Sequence, residues 1–130
     1  GTQIDIIACV EGRGFLIGGA LAYKLNTGLV LLRSPGKIPV NKESLFTSFV
    51  DYSRETKQLE LQTQAIKPQE NVLIVDDWIQ TGGTIKAAID LVKKASGTIV
   101  GIGVFADDST AGLQEELNDY NYHYVTKSKD

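Results

Sequence analysis

Val72-Leu73-Ile74-Val75-Asp76-Asp77-Trp78-Ile79-Gln80-Thr81-Gly82-Gly83-Thr84 sets an unbroken apolar run against a pair of acids and follows them with a glycine-rich turn. Apolar residues without a polar break suit a strand buried on both faces. The pattern predicts a strand that stops at the acids and holds them at its C-terminal end. Ile85, Ala88, Ile89 and Val92 then recur at helical spacing and predict a helix over residues 85–94. In an open parallel α/β sheet, ligands bind beyond the carboxyl ends of the strands. A helix N-terminus behind a glycine turn offers an anion backbone N–H groups and the positive end of a dipole. Residues 81–84 are therefore a candidate phosphate cradle. Carboxylates aimed into a phosphate would repel it, so Asp76 and Asp77 are assigned to neighbouring hydroxyl groups, such as those of a ribose. For the acid pair alone, a strand, an acidic turn and a well-capped helix without a ligand is an equally good account.

The string from Val72 to Thr84 resembles the 5-phosphoribosyl-1-pyrophosphate (PRPP) signature of the type I phosphoribosyltransferases. By that match Asp76 and Asp77 are the ribose-binding acids, and Gln80, Thr81, Gly82, Gly83 and Thr84 form the 5′-phosphate loop. Trp78 falls where the family keeps an apolar residue, and Gln80 takes the variable loop position.

Residues 4–10 read as a further apolar strand, ending in Glu11-Gly12-Arg13-Gly14 before a helical pattern over residues 15–25. Gly18, Gly19 and Ala20 keep one face of that helix small, which permits close packing on the sheet or a close ligand. In isolation Arg13 is an ordinary solvated loop arginine, because a short G-x-G segment is weak evidence. Glu11-Gly12-Arg13-Gly14-Phe15-Leu16-x-Gly18, however, resembles the pyrophosphate loop of the adenine phosphoribosyltransferases. The resemblance places Glu11, Gly12 and Arg13 at the pyrophosphate, whose oxygens a planar guanidinium suits. It also implies a cis peptide between Glu11 and Gly12.

Asn26-Thr27-Gly28 is a good helix stop, and residues 29–32 form another buried strand ending at Arg33. Leu31-x-Arg33-x-x-Gly36-Lys37-x-Pro39 again resembles the adenine enzymes, which puts Arg33 and Lys37 near the diphosphate. Residues 41–66 break the parallel rhythm. Phe46, Phe49 and Tyr52, with Leu59 and Leu61, predict antiparallel strands around a polar stretch at 53–58, a projecting hairpin. In the resembling family a mobile loop here folds over PRPP, so residues 41–58 are expected to be a lid, poorly ordered without ligand. Leu59-Glu60-Leu61-Gln62 matches its returning strand, and Asp51-Tyr52 matches an acid–tyrosine pair. Asp51 is then the catalytic candidate toward the incoming base, as proton acceptor or hydrogen-bond partner, with Glu55 as second choice.

Residues 98–105 read as one more buried strand, and Asp107-Asp108-Ser109-Thr110 supplies N-cap candidates for a short helix over 111–118. The last strand is expected at 120–125, with His123 on its surface, before a frayed tail at 126–130.

Composition sets the frame. With 130 residues and 42% hydrophobic content, the chain is large enough for a single core and too small for two. No apolar run approaches a membrane span and no signal peptide opens the chain, so a soluble, cytoplasmic protein is expected. Cys9, the only cysteine, excludes an internal disulfide and reads as a buried structural thiol. A net charge of −3 offers no basic field for nucleic acid, so an anionic ligand must be captured locally.

The expected fold is a single α/β domain over residues 1–130, a mainly parallel sheet of about five strands flanked by helices, with a projecting antiparallel hairpin lid. The resemblance spans residues 4–105. It implies a phosphoribosyltransferase of purine salvage that exchanges a purine base, adenine-like, with the pyrophosphate of PRPP to give a nucleoside 5′-monophosphate. Asp51, Asp76 and Asp77 are its catalytic candidates. Mg²⁺ is expected to be held mainly by PRPP and water, with no protein ligands assigned. The expected partners are PRPP and a nucleobase, and the expected assembly is a homodimer. The family's N-terminal hood, which reads the base, precedes the strand matching residues 4–10, and that segment is expected to be absent. Two rivals stand beside this reading: a regulatory domain that binds PRPP or a nucleotide without catalysis, and a transferase for another base. Arg13, the Lys37 loop and the long hairpin favour the enzyme.

Overall fold

The computed structural model describes residues 3–36, 43–51 and 53–127. Along the chain run β1 (Ile6–Val10), α1 (Arg13–Leu25), β2 (Gly28–Leu32), β3 (Ser44–Val50), β4 (Thr56–Gln62), β5 (Asn71–Ile79), α2 (Gly83–Lys94), β6 (Thr98–Asp107), α3 (Ala111–Asn118) and β7 (Tyr122–Thr126). Five strands form one sheet in the order β2-β1-β5-β6-β7, each neighbouring pair parallel. Parallel neighbours require crossovers, and α1, α2 and α3 provide them. β3 and β4 form a separate antiparallel pair, so the expected architecture holds.

Alternation along β1 shows how the sheet is covered. Ile6, Ala8 and Val10 join the larger core with α2, α3, Leu59 and Leu61, whereas Ile7 and Cys9 join a smaller core with Ala22 of α1. Successive side chains of a strand point to opposite faces, which buries β1 on both sides. On the α1 side, a Cβ at Gly18 would lie 2.6 Å from Cys9 Cβ, so only glycine lets the helix come this near. Cys9 is the buried structural thiol expected of it. It donates to the Val30 carbonyl at 3.7 Å, and burial raises its pKa to about 11.

Several boundaries differ from the sequence reading. β5 does not stop at the acids: Trp78 pairs with Ala106 and Ile79 with Asp107, so β6 carries the ladder two residues past Asp77. Both site helices begin earlier than their apolar periodicity, α1 at Arg13 and α2 at Gly83, because the residues that open them, Arg13 and Gly14, Gly83 and Thr84, carry no large apolar side chain for that periodicity to register. β3 ends at Val50 and β4 already begins at Thr56, inside the stretch expected to be the polar tip. The hairpin also projects less than expected. Leu59 and Leu61 are buried in the main core, Arg33 and Glu60 exchange backbone hydrogen bonds of 2.9 and 2.6 Å, and Lys94 Nζ donates to the Phe46 carbonyl. The last strand starts at Tyr122, and His123 is exposed on it. The Glu11–Gly12 peptide is trans, contrary to expectation. Gly12, at φ 90° and ψ −133°, makes the turn through glycine's freedom at positive φ instead. Lys37, residues 41–42 of the expected lid, Tyr52 and residues 128–130 of the tail lie outside the described residues.

Candidate active site

The site lies where β1, β2 and β5 end, and one cavity of about 250 Å³ brings Glu11, Asp51, Asp76, Asp77 and residues 80–84 together. Asp76 and Asp77 alternate in exposure as neighbours on a strand must. Asp76 is only 4% exposed, and its Oδ1 accepts the Asp77 backbone N–H at 2.8 Å with Gly14 packed beside it. Burial first, and then neighbouring Asp77, raises its carboxyl from the usual 3.8 to about 8, while Arg13 pulls the other way. Asp77 faces the cleft mouth and pairs through Oδ2 with Arg13 Nε at 2.8 Å.

The turn after β5 is built for close approach. Gly82 caps α2 at φ 87°, with no side-chain cap and no acid in the first turn. Gly82 thus supplies no cap to the leading N–H groups of α2, and only the Gly83 N–H meets a side chain, Thr81 Oγ1 at a long 3.5 Å, so the turn can still offer N–H groups to an anion. A Cβ at Gly82 would strike Leu113 of α3, and one at Gly83 would strike the Val50 carbonyl oxygen. Two glycines let α3 and the hairpin close on the turn from two sides.

The residues expected at the pyrophosphate sit in different surroundings. Glu11 accepts both the backbone N–H and the hydroxyl of Ser34 at 2.6 Å, so its carboxylate staples the loop after β1 to the loop after β2. Glu11 therefore positions these loops, and its negative charge is directed at Ser34. Arg13 lines an adjoining cavity of about 640 Å³ with Leu16, Ile17, Trp78 and Phe105. Arg33 lines neither cavity. Its guanidinium carbon lies 5.9 Å from the Phe15 ring centroid, and its Nε is buried with no hydrogen-bond partner among the described residues.

At the hairpin turn Asp51 is 7% exposed. Its Oδ1 accepts the N–H and hydroxyl of Ser53 at 2.9 and 2.6 Å, and its Oδ2 meets Lys57 Nζ at 2.7 Å. Lys57 first, and then Ser53, holds this carboxyl down to about 2. Glu55 contributes a backbone N–H to the same Oδ1 at 3.4 Å.

Sequence reasoning missed three residues of the cleft. Ser34 and Lys57 line the main cavity, and Trp78 walls both cavities with its indole N–H on Asp108 at 2.7 Å. For Lys57 a signal existed: it alternates with Leu59 and Leu61, and strand periodicity assigns all three to one face.

A parallel sheet with an acid pair and a glycine-capped helix N-terminus at its carboxyl edge defines an α/β domain with its candidate site where ligands of open α/β sheets bind. The phosphoribosyl transferase domain profile matches residues 1–130, and the chain belongs to that family. The adenine phosphoribosyltransferase of Trichlorobacter lovleyi is 48% identical over 77% of this chain and 57% of its own length. That of Desulforamulus reducens is 40% identical over 91% of this chain and 67% of its own. The chain thus spans little more than half of the first of these relatives. Among solved structures, the adenine phosphoribosyltransferase of Thermoanaerobacter pseudethanolicus superimposes with a TM-score of 0.85 at 34% identity, covering 98% of this chain and 72% of that one. The Saccharomyces cerevisiae enzyme, solved with an imino-altritol bisphosphate and adenine, gives 0.80 at 31% identity over 96% of this chain and 68% of that one.

Proposed function

We propose that this chain forms the PRPP-binding catalytic core of a purine phosphoribosyltransferase. It exchanges a base, adenine by preference, with the pyrophosphate of PRPP to give a nucleoside 5′-monophosphate, a step of purine salvage. One observation carries the reading: Asp76 and Asp77, near the C-terminal end of β5, share one cavity with the glycine turn at the N-terminus of α2, whose N-cap is a glycine with no side chain. A ribose 5-phosphate carries hydroxyls and a phosphate to match both. The names of the relatives supply the preference for adenine.

Breaking the bond at the anomeric carbon develops positive charge on the ribose and negative charge on the departing pyrophosphate. Residues 80–84 anchor the 5′-phosphate, Asp77 and Asp76 orient the ribose hydroxyls, and Arg13 counters charge on the leaving group. Glu11 contributes by holding the Ser34 loop in place. Asp51, kept ionised by Lys57 and Ser53, serves the base as hydrogen-bond acceptor. The donor set suits Mg²⁺ carried by the substrate: of the cavity's carboxylates Glu11 is bonded to Ser34 and Asp51 to Lys57 and Ser53, leaving Asp76 and Asp77 as the hard oxygen donors that could help hold the ion, and no cluster of three metal-binding side chains occurs among the described residues. When bound, the ion neutralises pyrophosphate oxygens. The proposal includes a homodimer and a cytoplasmic setting, which suits a reduced, buried Cys9.

The test is base-dependent pyrophosphate release from Mg²⁺–PRPP, with Asp77→Asn as the site control. Adenine is expected to drive release, and the substitution to weaken PRPP binding by at least ~10-fold, the worth of a charged hydrogen bond. Release with another base alone would reassign the substrate. PRPP binding without release for any base would make this a regulatory domain, and no binding would end the reading.

A further inference from the structure

We propose that Lys57 is an anion-contacting residue of this cleft, paired with Asp51 while the cleft is empty and transferred to a phosphate group of the ligand when it fills. The inference rests on reading the cleft as a PRPP site and adds to it a cation from the hairpin.

The placement comes from packing. Leu59 and Leu61 are 3% and 0% exposed and fix the face of β4 that turns inward, and Lys57 continues that face toward the cleft. At the other strand, the Val50 carbonyl oxygen occupies the space over Gly83 that any larger residue would fill. The hairpin is therefore seated on the phosphate turn, and Lys57 lines the same cavity as residues 80–84. A flexible ammonium, half exposed at 51%, is delivered to an anion pocket without any rearrangement of the backbone.

The two oxygens of Asp51 divide the work. Oδ1 is occupied by Ser53, which holds the carboxylate in place whether or not Lys57 is present, and Oδ2 is engaged only with Lys57 among the contacts described. A phosphate carries more negative charge than a single carboxylate and offers more acceptor oxygens, so it competes effectively for the ammonium. When Lys57 moves, Oδ2 becomes an open acceptor facing the cavity. Arrival of the phosphorylated substrate thereby exposes the acceptor that the base needs, and one ion-pair exchange orders the two binding events.

Both ends of PRPP present the required chemistry, so titration calorimetry is run with Mg²⁺–PRPP, ribose 5-phosphate and inorganic diphosphate on the wild type, Lys57→Met, Lys57→Arg and Asp51→Asn. Lys57→Met should weaken PRPP by about 10-fold, and the smaller ligand that shares the loss identifies which phosphate Lys57 meets. Lys57→Arg should restore most of the affinity. The deciding readout is Asp51→Asn, which removes the ion pair with Lys57 and should leave PRPP binding equal or tighter. Were the pair only structural, both substitutions would break the same contact and weaken binding alike, and that result overturns the proposal. So does PRPP affinity for Lys57→Met within twofold of wild type. Thermal melting without ligand checks that each variant is folded. A wild type that binds no PRPP would instead defeat the reading of the site itself.

Discussion

Asp76 has a carboxyl that the fold keeps from water and next to a second acid, and its pKa of about 8 makes it a pH-dependent element of stability. In the unfolded chain this group loses its proton near 3.8, whereas the native protein retains it to about 8. Between those values the native state binds more protons, so stability falls as pH rises through that window. Melting temperature of the ligand-free protein is expected to drop by several degrees between pH 5 and pH 9 on this account, and Asp76→Asn to remove much of the slope. Equal slopes in the two proteins would show that Asp76 ionises normally. Asp76, Asp77 and residues 80–84 were legible in the sequence because their chemistry is local to one strand, one turn and one helix start. Ser34 was not, since it acquires its place from the Glu11 staple, and for Lys57 strand alternation gave the face but not the cleft, which it reaches only because its hairpin docks on the turn at Gly83. The trans Glu11–Gly12 bond was misjudged because the resemblance supplied a conformation that Gly12 reaches by another route.

At the scale of elements, the hairpin is the part whose sequence said least about its position. Phe46, Phe49 and Tyr52 with Leu59 and Leu61 indicated two antiparallel strands, but their seat on the phosphate turn depends on Gly83 having no side chain. Gly83→Ala is expected to push Val50 away, lowering melting temperature and PRPP affinity together. Gly19, inside α1 with open space where its Cβ would lie, provides the contrast. There alanine should stabilise by roughly 0.5–1 kcal/mol, the usual gain over glycine in a helix interior. Thermal melts and calorimetry on the two variants separate a steric role from a general glycine effect, and unchanged binding in Gly83→Ala would show that hairpin and turn are independent. The same anchors limit any lid. Leu59, Leu61 and the Arg33–Glu60 bridge hold the far end of the hairpin, so the proposed closure over PRPP would fall to the end where β3 meets β4.

For the whole molecule, a net charge of −3 means that no long-range field draws in a polyanion. On the proposed reading that task falls to local devices, the α2 N-terminus, Arg13 and Lys57. The overall sheet was readable from four apolar runs, each followed by a turn, but its outer surface was not. Leu16 and Tyr23 on α1 are 76% and 81% exposed, and Val125 on β7 is 73% exposed, apolar surface of the kind that protein contacts use. The proposed homodimer predicts twice the chain mass in sedimentation equilibrium at micromolar concentration, with Leu16→Glu shifting the species to monomer. A monomeric wild type would remove the dimer from the proposal.

Trp78 is the only tryptophan in the chain, and its indole forms part of the wall between the two cavities while its N–H is tethered to Asp108. All red-edge-excited emission from the protein therefore originates at the cleft. Its intensity, wavelength and polarisation are a label-free optical record of what enters there, measurable in a stopped-flow cell before any product has formed.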